Sequence, residues 1–363
     1  MKFPVARALA ALLLAGLAPL RAQEPAVETK TTDAPPKQPA LIDALSAADL
    51  DEALSLLRDH FIKPEMLGEL PLKRATVQGA IERLAPGAAI LQAPAGGEAE
   101  TSPFRSELLD GRVGYARLGS ATGANLAELD AALAKFATQK LGSLVLDLRA
   151  TTPSSDFEQM ADVCRRFVPK GKVLFSVRKA NVKQEQVLTS KDDPKFRGVI
   201  VALVDRDNAG TAEVIAAVLR AHVNAMVIGQ QTRGEAVEFA NFPLPGGSLL
   251  RIAVAEVALP DKATIFPGGV KPDVTVDVPR ETTQSVLKQE LEKGVGELVF
   301  ETERPRPNEA SLVAGTNPEL EAALAAQKNK AERGKSPPRD EVLQRAVDFI
   351  TTLAIYEKAR PGK

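Results

Sequence analysis

Between Ser106 and Val257 the chain alternates short apolar, β-branched runs with stretches of helical period, and few architectures accommodate that alternation. Ser106–Leu109, Val113–Leu118, Leu144–Leu148, Val173–Val177, Val199–Val204 and Met226–Ile228 read as strands. Asp110-Gly111 joins the first two as a hairpin, because that pair tolerates positive φ. Phe239–Leu244 and Leu249–Val257 form a second hairpin across Pro245-Gly246-Gly247. Helices fall between the runs. One carries Leu126, Leu129, Leu133 and Phe136 on a single face, with Asn125 and Glu128 spaced as a capping box. Ser155 and Glu158 are spaced to open the next, which turns Phe157, Met160, Cys164 and Phe167 inward, and Ala212–His222 forms a third. The pattern predicts an α/β layered core.

Outside this core the organisation changes. Lys2 and Arg7 precede an apolar run, Ala8–Leu20, too short to span a bilayer and matching a signal peptide over 1–22. Residues 23–40 are rich in Pro, Thr and charge and read as a flexible linker. Segment 41–94 is helical in pattern, with Leu50, Ala53, Leu54 and Leu57 at helix spacing and Asp49 as its cap. The core occupies 104–279, and a charged helical segment fills 280–363.

Composition excludes several functions. With 46 Lys+Arg against 47 Asp+Glu the chain has no net basic field to hold nucleic acid. A single cysteine, Cys164, excludes an internal disulfide and any cysteine-built metal centre, and it reads as a small buried hydrophobe. Two histidines, His60 and His222, leave few ways to build a Ser-His-Asp triad. His60 is predicted at a helix surface, and His222 in a last helical turn where a cation favours the dipole. The expectation is no metal, no cofactor and no stable membrane span once the leader is removed.

Four passages, in order, resemble the C-terminal processing peptidases, or tail-specific proteases. They are VGYARL from Val113, LVLDLRATTPSSDFEQM from Leu144, VALVDRDNAGTAEVIAAVLRAHV from Val201, and the closing stretch with Gly269, Pro272 and Asp273. The resemblance implies a crotonase-like layered tail-specific protease core with N- and C-terminal helical segments. It also implies a serine nucleophile, a lysine base and an oxyanion turn. Glu213 matches a family glutamate, which puts Gly210 at the nucleophile position and Glu235 at the lysine position. The oxyanion turn reads Thr152-Pro153-Ser154-Ser155 in place of the family's Asn-Pro-Gly-Gly. A Ser–Lys dyad needs a hydroxyl and a neutral amine; glycine lacks the one and glutamate reverses the charge of the other. The family's PDZ module is also missing, since only Gln92–Pro103 occupies its place.

The resemblance therefore implies an exported, periplasmic or secreted, inactive relative that binds peptide or protein segments in the old cleft. Asn208, Thr211, Glu213, Gly234 and Phe239 are its expected binding residues. The alternative is an active serine-type endopeptidase working through displaced residues, Thr211 as nucleophile or Glu235 with Asp207 activating water. A third reading is a structural partner in an envelope complex. Glu235 predicts a cleft that prefers basic or neutral peptides. If the leader is removed as read, N-terminal sequencing of protein from the envelope fraction starts near Gln23, and intact Met1 in a cytoplasmic pool would refute it.

Overall fold

A computed structural model describes residues 38–92, 102–180, 182–299 and 339–359. The proposed leader and nearly all of the proposed linker lie outside these residues, as do most of the stretch in place of the PDZ module and the chain between 300 and 338. Two compact units divide within one helix, at Arg74/Ala75.

The first unit holds α1 (Gln38–Asp43), α2 (Ala47–His60), a short 3-10 turn and the start of α3 (Glu69–Leu84). Ser46, not Asp49, caps α2. Its hydroxyl accepts from the Asp49 N–H, while the Asp49 carboxylate takes the Ser46 N–H, a reciprocal capping box. The apolar residues at helix spacing are not buried: Leu50, Leu54 and Leu57 are exposed.

The second unit is built on a six-stranded sheet. Its strands are β2 (Arg105–Leu109), β3 (Val113–Arg117), β4 (Ser143–Asp147), β7 (Val199–Val204), β8 (Met226–Gly229) and β11 (Val274–Thr275), in the order β11-β8-β7-β4-β3-β2. All neighbours run parallel except the β2–β3 hairpin, turned by Asp110 and Gly111 at positive φ. Both faces are covered, so the central strands are continuously apolar, and the strand period of two sorts their side chains. Leu144, Leu146, Ile200, Ala202 and Val204 join one core with α4 (Gly123–Thr138), α5 (Phe157–Arg165) and α6 (Thr211–Val223). Val145, Val201 and Leu203 face the other way. There they meet Val342, Leu343, Ala346 and Ile350 of α8 (Glu341–Ala359).

A second sheet lies beyond α5 and α6. It contains β1 (Ala88–Gln92), β5 (Val173–Lys179), β6 (Gln186–Thr189), β9 (Val237–Pro243) and the long β10 (Ser248–Ala258). β10 pairs with β9 along most of its length, and with β1 and then β5 on its other side. Among the described strands β9 pairs with β10 alone, so its outer edge is open. The helical reading of 41–94 is thus corrected at its end. Ala88–Gln92 is a strand, recruited by the edge of β10 rather than by its own pattern.

Three further sequence readings change. Thr122 precedes α4 without a side-chain cap, and Asn125 instead donates to Ser102 and Leu118 carbonyls and the Ser120 hydroxyl. Asp156, not Ser155, caps α5, accepting from the Glu158 and Gln159 N–H groups. His222 is half-buried, and burial lowers its pKa from the ordinary value, so at neutral pH the ring is uncharged rather than a cation on the helix dipole. Cys164 is fully buried, and burial pushes its thiol far up, which makes it inert. His60 is exposed, as its position on α2 implies.

A buried ion cluster joins the last helix to the first sheet. Arg149 donates to Asp147 and to Asp340, and Arg117 donates to Glu290 of α7 (Arg280–Lys293) at 2.7 Å. Two cations thus face three carboxylates away from water. Burial, with Asp147 and Asp340 close by, lifts Glu290 from 4.5 to about 8, and its Oε1 has no hydrogen-bond partner, leaving an oxygen on which a proton can sit. A carboxyl raised on folding stabilises the fold below its unfolded pKa and loses that contribution as pH rises through the folded value. Stability measured by urea unfolding therefore falls between pH 5 and pH 8.5, and the fall is shallower in Glu290→Gln; parallel profiles would refute this origin.

Candidate functional site

The site forms where the first sheet and α6 meet the second sheet. β7 ends at Val204, and a short loop leads into α6. Asn208 ties that loop down: its Oδ1 accepts from the Asp205 N–H and its Nδ2 donates to the Leu148 carbonyl. Gly210 follows as the residue that starts α6, at φ 52° and ψ −101°. An L side chain occupies that conformation only at a cost of roughly 1–3 kcal/mol. A Cβ there would also press on the Ser154 carbonyl at 3.3 Å.

Glu213, one turn into α6, is fully buried and organises the surrounding loops. Its Oε1 accepts from the Thr232 hydroxyl and the Gly234 N–H, both at 2.5 Å, and its Oε2 from the Gly210 and Glu235 N–H groups at 2.9 and 2.8 Å. Burial pushes its carboxyl above the usual range, and the four donors work against that shift by favouring the charged form. Gly234 is required by two constraints. Its φ is 78°, and a Cβ would collide with the backbone of Pro267.

A cavity of about 410 Å³ opens beside Gly210. Pro153, Ser154 and Ser155 of the turn after β4 form one wall, with Ala209 and Gly210 at its base. Glu235, Val237, Phe239 and Asn241, in and before β9, form the opposite wall with Arg251 of β10 and Leu91 of β1. Its volume suits a ligand side chain or a short peptide stretch.

The candidate site residues named from the sequence come to this region, but in two layers. Gly210, Glu235, Ser154, Ser155 and Phe239 line the cavity. Asn208, Thr211, Glu213 and Gly234 do not; they lie behind its wall and hold it in place. Thr211 is fully buried, and its hydroxyl accepts the Ser154 N–H at 3.0 Å. That bond occupies a hydroxyl that would otherwise be a displaced nucleophile, and it also occupies a donor of the oxyanion turn. Glu235 and Asp207 do not act on each other. Glu235 is ion-paired with Arg233 at 3.0 Å, and Asp207 with Arg280 at 2.8 Å. Sequence reasoning missed Arg251, whose guanidinium carbon sits 3.6 Å above the ring centre of Phe239. A basic residue in an otherwise apolar strand was the available signal. Among the described residues no group of three or more His, Cys, Asp or Glu side chains is placed to hold a metal ion, and no helix is long and apolar enough to cross a membrane.

The loop after β7, ending at Gly210 where α6 begins, thus faces the Glu235 loop across the cavity, with Glu213 of α6 behind both. Residues 112–276 match the profile of peptidase family S41. A carboxyl-terminal-processing protease of Synechocystis is 26% identical over 182 residues, covering 49% of this chain and 42% of its own. A carboxy-terminal-processing protease of Bartonella bacilliformis is 29% identical over 220 residues, covering 54% and 50%. The chain thus spans half or less of these relatives. The solved structure of a candidate peptidase from Parabacteroides merdae shares the fold, with a TM-score of 0.50 at 17% identity over 66% of this chain and 85% of that one.

The Glu213 arrangement carries a stability consequence. Glu213→Ala leaves four donors without their acceptor, three of them backbone N–H groups, and should cost roughly 3–5 kcal/mol in urea unfolding. A loss below about 1 kcal/mol would show that water replaces the carboxylate.

Proposed function

We propose that the protein is an exported, catalytically inactive relative of the S41 peptidases whose cleft binds an extended segment of peptide or protein. Gly210 carries this reading: at the nucleophile position, facing the cavity, there is no side chain. Loss of a serine peptidase's nucleophile costs on the order of 10⁶ in rate. No lysine or histidine lines the cavity, the Thr211 hydroxyl is committed to Ser154, and Glu235 is paired with Arg233.

Binding outlives catalysis in this geometry because it needs different parts. The outer edge of β9 offers backbone donors and acceptors to an added strand, and the cavity beside it receives a side chain. The processing proteases among its relatives are named for action on the carboxyl termini of proteins, which supports a protein segment as the ligand. Release to the periplasm or the exterior rests on Lys2, Arg7 and the Ala8–Leu20 run. The stack of two sheets about α5 and α6 is read as a crotonase-like layering on the same footing.

Purified protein should leave casein and unstructured tail peptides intact. Cleavage that Thr211→Ala abolishes would overturn the reading. Gly210→Ser with Glu235→Lys should remain without robust proteolysis, because the Ser154 N–H stays bound to Thr211, and Gly210→Ser alone should lose roughly 1–3 kcal/mol in urea unfolding through its backbone conformation.

A further inference from the structure

The cavity is lined by two charged side chains, Glu235 and Arg251. From sequence, Glu235 sets the sign of the cleft and favours basic ligands. The structure reverses that expectation. Glu235 is ion-paired with Arg233 at 3.0 Å, and its side chain is only 14% exposed. A basic ligand would have to compete with a pair already made. Arg251 is in the opposite condition: among the described residues no carboxylate lies within 4.0 Å of its guanidinium, and its one specific contact is the face of Phe239.

We infer that the cleft recognises a carboxylate, with Arg251 as the group that holds it; this rests on the peptide-binding reading above. A guanidinium stacked on a ring is held by its flat face, which leaves its N–H groups pointing outward in its own plane. Those donors form a fork that matches the two oxygens of a carboxylate. The register supports the same placement. Arg251 is directly opposite Asn241 in the β9–β10 pair, so both side chains stand on one face of the sheet, and Phe239 is the diagonal neighbour of Arg251 there. The Asn241 amide, which also lines the cavity, adds a neutral donor beside the fork. A peptide added along β9 would run past this pair, and its carboxylate would come either from its own C-terminus or from an Asp or Glu side chain.

Fluorescence anisotropy on the full chain separates these sources with four labelled peptides of one apolar sequence. One has a free C-terminus, one is amidated, one is amidated with a single internal Glu, and one is amidated with Gln at that place. At low salt a carboxylate-bearing peptide should bind about 10- to 100-fold tighter than its uncharged counterpart, the range of a charge-assisted hydrogen-bonded pair. Added salt should narrow the gap. Preference for the free C-terminus alone assigns the terminal carboxylate, and preference for the Glu peptide assigns a side chain; both support the inference. Arg251→Gln should abolish the preference, read as the affinity ratio between each carboxylate peptide and its uncharged counterpart, and Arg251→Lys should keep part of it. Asn241→Asp, which sets a carboxylate opposite Arg251, should abolish it without removing the arginine. Equal binding of all four peptides, or a preference unchanged in Arg251→Gln and Asn241→Asp, would overturn the inference and leave peptide binding standing. If no peptide binds, both readings fall.

Discussion

One buried carboxylate holds this site together. Glu213 receives donors from the residue that starts its own helix, from Thr232, and from both Gly234 and Glu235. Those four groups belong to two loops about twenty residues apart, which leave the paired ends of β7 and β8 and are joined further on by one backbone hydrogen bond, from the Arg233 N–H to the Asn208 carbonyl. The Thr232 hydroxyl in turn accepts the Val270 N–H, which extends the attachment to a third loop. A charge buried at this depth persists only if hydrogen bonds replace its lost hydration. The loops are therefore held by the requirements of Glu213, whatever chemistry they carry.

The cleft can therefore keep its shape whatever side chains stand at positions 210 and 235. The attachments run through backbone N–H groups and a threonine, not through the side chains at Gly210 or Glu235. Substitution at either position leaves the Glu213 network intact. Glycine at 210 also relieves backbone strain, since φ 52° with ψ −101° suits a residue without Cβ. The freed hydrogen-bonding capacity is taken up locally: Thr211 binds the Ser154 N–H, and Arg233 binds Glu235. Thr211, Ser154 and Glu235 thus have partners within the protein, while among the described residues Arg251 has the Phe239 ring as its one specific contact.

The far side of the first sheet depends on a comparable device. Arg149 binds Asp147, on the strand just before it, and Asp340, on the segment leading into α8. Residues nearly two hundred positions apart are thereby locked under the sheet, and the apolar face of α8 is seated on Val145, Val201 and Leu203. The C-terminal helix is part of the second unit's core. Its charged surroundings in sequence gave no hint of that, because the partner charges lie on strands far away in the chain.

The sequence by itself determined most of the strands and helices of the core, both hairpins, and the resemblance to the tail-specific proteases. Those features are local or periodic: strands such as Val199–Val204 are buried on both faces and must be apolar throughout, and Asp110-Gly111 turns because of its own backbone preferences. That Gly210 stands at the start of α6, three residues before Glu213, was legible for the same reason. Tertiary structure decided the strands at Ala88–Gln92, Gln186–Thr189 and Val274–Thr275, the helix caps at Asp156 and Ser46, and the neutral state of His222. Each depends on a neighbour that chain order does not reveal: the edge of another strand, a competing hydrogen-bond partner, or loss of solvent. The contact of Arg251 with the Phe239 ring belongs to this second group, because it depends on the β9–β10 register that sets the two side chains diagonally on one face of the sheet.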